Sequence, residues 1–153
     1  MKPVLFIGLS LCTGCSVLLD FEECNSDEAC GPESSCIEGI CAPLLNDQCA
    51  TTIGPWDDPD AIRLGMIGPL SGLNSESGLY AMLAVEIALE EINNLGGVGG
   101  HQNRSLAVLA CDDQGDPDLG VEAAHHLVDR VQVPTIIGPT YSKVTLEVAE
   151  EVT

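Results

Sequence analysis

The sequence predicts an α/β fold: a βαβαβα order whose strands form a parallel sheet with helices on both faces, preceded by a disulfide-rich segment. Three observations carry this. Short apolar runs recur after residue 61, and they are continuous rather than alternating, as strands buried on both faces are. Stretches with helical periodicity separate the runs. Each run also ends in a cluster of Gly, Pro, Asp or Ser, the punctuation of a strand-to-helix loop.

The first strand is IRLGMIG, Ile62 to Gly68, closed by PLSGLNSESG. A helix follows over roughly Gly78 to Leu95. Met82, Val85, Leu89 and Ile92 recur there at three and four residues, with Glu86 and Glu90 on the opposite face. Asn93, Asn94, Gly96 and Gly97 stop it. SLAVLACDD is the second strand, ending at Asp112 and Asp113. Asp116 and Pro117 make a good cap and first position for the next helix, which carries Val121, Ala124, Val128 and Val131 on one stripe. PTIIG is the third strand, and SKVTLEVAEEV begins the third helix. In such sheets ligands bind beyond the carboxyl ends of the strands. GPLSG, CDDQGD and GPTYS all lie at that edge.

The N-terminus reads as a targeting segment. Lys2 precedes an apolar run from Val4 to Leu11, too short to span a bilayer, which takes about 20 residues. LCTGCS then resembles the lipobox of bacterial lipoproteins, with Cys15 as the acylated residue, although Cys12 stands where that motif usually has leucine. An ordinary signal peptide is the alternative. Ser16, rather than Asp, follows the cysteine, and by that resemblance this implies sorting to the outer membrane. The expected organisation is a signal peptide at 1–14, a cysteine-rich stapled spacer at 15–49, a linker at 50–60 punctuated by Gly54-Pro55 and Asp58-Pro59, and a domain at 61–153.

An exported chain meets an oxidising compartment, so closely spaced cysteines read as disulfides. The candidates are Cys24, Cys30, Cys36, Cys41, Cys49 and Cys111, an even set once Cys15 is acylated. Many connectivities are open to such a set. The favoured one joins Cys24 to Cys36 and Cys30 to Cys41, with Cys49 reaching Cys111. The spacer holds no CxxC pair and no nearby histidine, so no metal site is expected.

Composition excludes other classes. The chain has 153 residues and a formal charge of -19, with only 5 Lys and Arg, so a phosphate backbone would be repelled. Aromatic residues are 3%, too few for base-stacking platforms. Gly65, Gly68 and Gly72 miss the GxGxxG spacing, no GxxxxGK[ST] occurs, and GGVGG follows a helix, so no cofactor is expected. His125 and His126 are adjacent and cannot share a metal from a helix. His126 is placed beside Glu122 on the wet face, His125 near the apolar stripe and His101 in a glycine turn, all in structural roles. Asp112 and Asp113 read as loop-tying groups rather than a catalytic pair. Ser142 lacks a GxSxG elbow or an identifiable base. It either caps the third helix or caps it and also holds an anion at the helix N-terminus.

Together, IRLGMIGPLSGLNSESGLYAMLAVEIALEEINNLGGVGG, LAVLACDDQGDP and VPTIIGPTYSKVT resemble the type I periplasmic solute-binding proteins, and most nearly the leucine/isoleucine/valine-binding family that feeds ABC transporters. The resemblance covers Ala61 to Thr153. It implies part of the first lobe of a two-lobed clamshell closing on a small solute, with no catalysis. It also implies that Ser142 binds a ligand α-carboxylate through its hydroxyl and amide, that Thr140 and Tyr141 flank the pocket, and that Ser77 forms one wall. The implied partners are an amino acid or similar carboxylate, an ABC permease and, through the lipid, the outer membrane. The family continues with a further strand and a second lobe, so the chain reads as truncated at Thr153. A ligand-sensing or cell-envelope regulatory lipoprotein on the same fold is the alternative.

Overall fold

The computed structural model describes residues 24–31, 33–99 and 103–152. The signal segment, Cys15 and His101 lie outside the described residues. In chain order the strands and helices are β1 (Ser34–Ile37), β2 (Ile40–Pro43), β3 (Thr51–Ile53), β4 (Ile62–Gly68), α1 (Ser75–Asn94), β5 (Leu106–Asp112), α2 (Pro117–His125), β6 (Ile136–Ile137) and α3 (Ser142–Val152). A short 3-10 turn covers Asp27–Ala29, and a π turn, His126–Arg130, extends α2.

β4 lies between β5 and β6 and is parallel to both, in register from Ile62 opposite Leu106 to Gly68 opposite Asp112. Successive side chains of a strand point to opposite faces, and here both faces are apolar. Ile67, Ala107, Leu109 and Cys111 pack with Ala123, Ala124 and Leu127 of the second helical stretch and Val144 and Val148 of α3. Met66, Val108 and Ala110 face the other way, onto Leu89 with Met82 and Val85 of α1. Hence the continuous runs. A strand between two helical layers has no wet face on which to place a polar residue.

The boundary with the cysteine-rich segment differs from expectation. Thr51–Ile53, placed in a linker by its flanking Gly-Pro and Asp-Pro pairs, is an antiparallel edge strand on β5, with Thr51 opposite Ala110 and Ile53 opposite Val108. The order β3-β5-β4-β6 is therefore mixed rather than all parallel. Trp56, from the same stretch, is buried in the larger core cluster, and the Arg63 guanidinium lies over its ring at 4.8 Å from the centroid. Leu44 and Cys49 join that cluster. The end of the presumed spacer is thus part of the folded body, because its apolar side chains fill the sheet's second face beside α2.

Three disulfides join Cys24 to Cys36, Cys30 to Cys41 and Cys49 to Cys111. The first two brace the β1–β2 hairpin, where Cys36 and Cys41 are cross-strand neighbours. The third closes a separation of 62 residues. By the chain-entropy argument, a loop of that size restricts the unfolded state by about 4 kcal/mol.

The histidine assignments reverse. His126 Nε2 meets the Leu44 carbonyl at 2.7 Å, whereas exposed His125 pairs with Asp129 at 3.0 Å. The buried positions Gly120, Ala123, Ala124 and Leu127 keep ordinary helical spacing, so the inward face lies about one residue off the expected stripe and Val128 is exposed.

Candidate functional site

Three loops meet at the carboxyl edge of the parallel strands. The loop after β4 begins at Pro69 and leads into α1, whose Gly78 packs on the Pro69 carbonyl too closely for a side chain. The loop after β5 is Asp113 to Asp116. The loop after β6 is Gly138 to Tyr141. Gly138 has φ 100°, and a Cβ there would collide with the Ile67 carbonyl, so the chain can turn off the sheet here only with glycine. The peptide from Gly138 to Pro139 is cis.

Asp112 ties the first two loops together. Its Oδ1 accepts from the amides of Leu70 at 2.7 Å, Ser71 at 3.1 Å and Gln114 at 3.0 Å. Burial alone would raise its pKa. The Ser71 hydroxyl and the Gln114, Leu70 and Ser71 amides outweigh that and hold the carboxyl below its usual range. Its neighbour is in the reverse condition. Asp113 is fully buried, Oδ1 accepts from the Gly115 amide at 2.7 Å, and Oδ2 is buried without a hydrogen-bond partner among the described residues. Burial raises its pKa, the Gly115 bond and Lys143 counteract, and the charges of Asp112 and Asp116 add to the rise. Both carboxylates are engaged in loop architecture, as the sequence suggested, and the asymmetry comes from burial.

Tyr141 joins the third loop to the other two. Its hydroxyl lies 3.0 Å from Ser77 Oγ and 3.4 Å from the Asn74 carbonyl, to which Ser77 also donates at 3.1 Å. Its ring lies against Gly115, where a Cβ would be 3.3 Å from the ring edge. Thr140 sits beside Gly68, its Oγ1 3.1 Å from where a Cβ would be. The side chains of Ser77, in the first turn of α1, and Tyr141, in the loop after β6, therefore touch although they lie far apart in sequence.

Ser142 is one residue further into α3 than expected. The Tyr141 carbonyl accepts from the Val144 and Thr145 amides, which puts Tyr141 rather than Ser142 at the cap. The Thr145 hydroxyl reaches back to the Pro139 and Tyr141 carbonyls at 3.2 and 3.1 Å and closes the first turn. Ser142 and Lys143 are exposed on that turn, where a helix presents unused amides and positive potential. The arrangement suits a small anion approached by amides and hydroxyls.

Sequence reasoning did not single out Asn74 or the three-amide grip of Asp112. For Asp112 a signal was present, since an Asp followed two residues later by Gln-Gly favours a side-chain-to-backbone turn.

The chain is 32% identical over 90 residues to a Leu/Ile/Val-binding protein, BraC3, of Rhizobium johnstonii, covering 58% of this chain and 23% of that one. The crystal structure of a type 1 periplasmic binding protein from Bordetella pertussis superposes with a TM-score of 0.54 at 36% identity, covering 61% of this chain and 24% of the other. The branched-chain amino acid transporter substrate binding protein LivJ of Streptococcus pneumoniae, solved with isoleucine, gives a TM-score of 0.55 at 22% identity, with 60% and 25% coverage. The chain thus spans about a quarter of the length of these relatives. Residues 61–153, more than half of the chain, match the family described as periplasmic binding protein, and the chain belongs to that family.

Proposed function

We propose that this chain is the N-terminal part of an extracytoplasmic solute-binding lipoprotein that captures an amino acid or a similar small carboxylate for an ABC transporter. Residues 61–153 form the beginning of its first lobe, residues 1–14 are the signal peptide, and Cys15 carries the lipid that holds the protein at the outer membrane. The role is capture and delivery, without catalysis. The observation that carries the reading is the convergence of three strand-end loops on the N-terminus of α3, with Ser142 exposed there and Tyr141 hydrogen-bonded to Ser77 beside it. A carboxylate seated on that turn receives amides, a hydroxyl and the favourable end of the helix dipole. Thr140 and Tyr141 border the seat, and Ser77 forms the wall on the α1 side.

Calorimetric titration of the full-length protein with branched-chain amino acids and benzoate tests it. Ser142→Ala removes one charge-assisted hydrogen bond, worth about 1.5–3 kcal/mol. Binding should weaken roughly ten- to a hundredfold. Unchanged affinity in a folded variant would leave Ser142 as part of the helix start and nothing more.

A further inference from the structure

Asp112, which grips the first loop, is itself gripped by a residue outside the family-matched region. On its β4 side Asp112 is in register with Gly68. On its β3 side it meets Gln48. The Asp112 amide donates to the Gln48 carbonyl at 2.9 Å, and Gln48 Nε2 donates back to the Asp112 carbonyl at 3.1 Å. The same Nε2 donates to the Leu119 carbonyl of α2 at 2.7 Å, so both of its hydrogens are used. Gln48 is held in turn. Its amide and that of Cys49 donate to Asn46 Oδ1 at 2.9 and 2.6 Å, and Cys49 is bonded to Cys111, the residue preceding Asp112.

We propose that Gln48, backed by the Cys49–Cys111 disulfide, is a positioning residue for the ligand-binding edge, acting through the Asp112 carboxylate on the loop that leads to Ser77. The chain of contacts is continuous: Gln48 fixes the backbone of Asp112, Asp112 Oδ1 fixes the amides of Leu70 and Ser71, and that loop delivers Asn74 and Ser77 to Tyr141. One carboxylate oxygen serves three amides, so a small displacement of its backbone weakens all three bonds together. The cysteine-rich extension thereby supports the site as well as joining it to the membrane. Its consequence for affinity rests on the solute-binding reading. The coupling itself does not.

Site-resolved amide exchange on the whole protein separates the two. In Gln48→Ala, exchange at Leu70 and Ser71 should quicken about tenfold, while the Met66 and Val108 amides of the sheet keep their wild-type rates. Asp112→Asn should reproduce the effect at the same two amides. The Cys49–Cys111 disulfide is present in both variants, and the Met66 and Val108 rates report whether folding is retained. Unchanged exchange at Leu70 and Ser71 in Gln48→Ala overturns the proposal, as does equal acceleration at all four amides, which would mean general destabilisation. Titration with L-leucine forms the second arm. Where the wild type binds, Gln48→Ala should bind more weakly with its heat per site unchanged, and unaltered affinity there overturns the consequence for binding. Absence of wild-type binding counts against the leucine-type ligand, while the exchange arm still decides the coupling.

Discussion

Asp112 and Asp113 are neighbours with opposite proton affinities, and stability should follow pH differently through each. The Asp113 pKa is raised above 3.8 in the folded protein. Folded protein therefore holds that proton more tightly than unfolded, and stability falls as pH rises from about 3.8 through the folded value. Asp112 is lowered, so its contribution is present above 3.8 and is lost as pH falls through its folded value. Asp113→Asn keeps an oxygen for the Gly115 amide and removes the ionisation. Its melting temperature should decline less than that of the wild type as pH is raised from about 4 to 7, and thermal melts across that range check it. A variant with the wild-type slope would show that Asp113 is not the group responsible. At this scale the sequence was partly readable. The adjacent carboxylates announced a strand end, but not which of the two is buried. Ser142 shows the same limit: Tyr141 occupies the cap although its side chain is not a capping type, because the Thr145 hydroxyl closes the turn from within.

Between elements, the tightest helix contact is that of α2 with α3. A Cβ on Gly120 would run into the Val144 side chain, and Val148 is within 3.5 Å. Alanine for glycine inside a helix ordinarily gains up to about 1 kcal/mol from propensity. Forcing a methyl group into a filled contact costs about 1–3 kcal/mol. Packing should win, so Gly120→Ala should lower the urea midpoint, and a raised midpoint would mean that the helices separate freely. β4 was legible to the residue because its apolar run is bounded by Gly68-Pro69. β6 was overestimated: of PTIIG only Ile136 and Ile137 pair, with β4 alone among the described residues. β3 was missed because its three residues carry little pattern and its partner lies far along the chain. Val128 was assigned to the core stripe four residues after Ala124, whereas Leu127, three residues after it, takes that place.

For the whole molecule, the lipid anchor at Cys15 is a proposal about where the protein works. A chain of net charge -19 is repelled by anionic lipid surfaces, so adsorption will not hold it at a membrane. Under the lipoprotein proposal, Cys15 must carry more than one acyl chain, since a single chain binds only weakly. Labelled palmitate should enter the wild type and be absent from Cys15→Ser, with the protein moving from the membrane fraction to the soluble one. Label surviving the substitution would remove the lipid anchor. The family motifs were readable because each is local in sequence. The attachment of the extension to the sheet was legible only through one favoured cysteine pairing.

The Cys49–Cys111 bond also makes a closed covalent ring of everything between those residues, including β3, β4, α1 and most of β5. A protease that nicks the chain once within the ring, at exposed Arg104 for example, opens the circle without releasing a piece. The nicked chain keeps its mass on a non-reducing gel and separates into two only when reduced. The two hairpin disulfides protect the stretch from Cys24 to Cys41 in the same way. One cut inside any of these rings therefore leaves both cut ends in one covalent molecule.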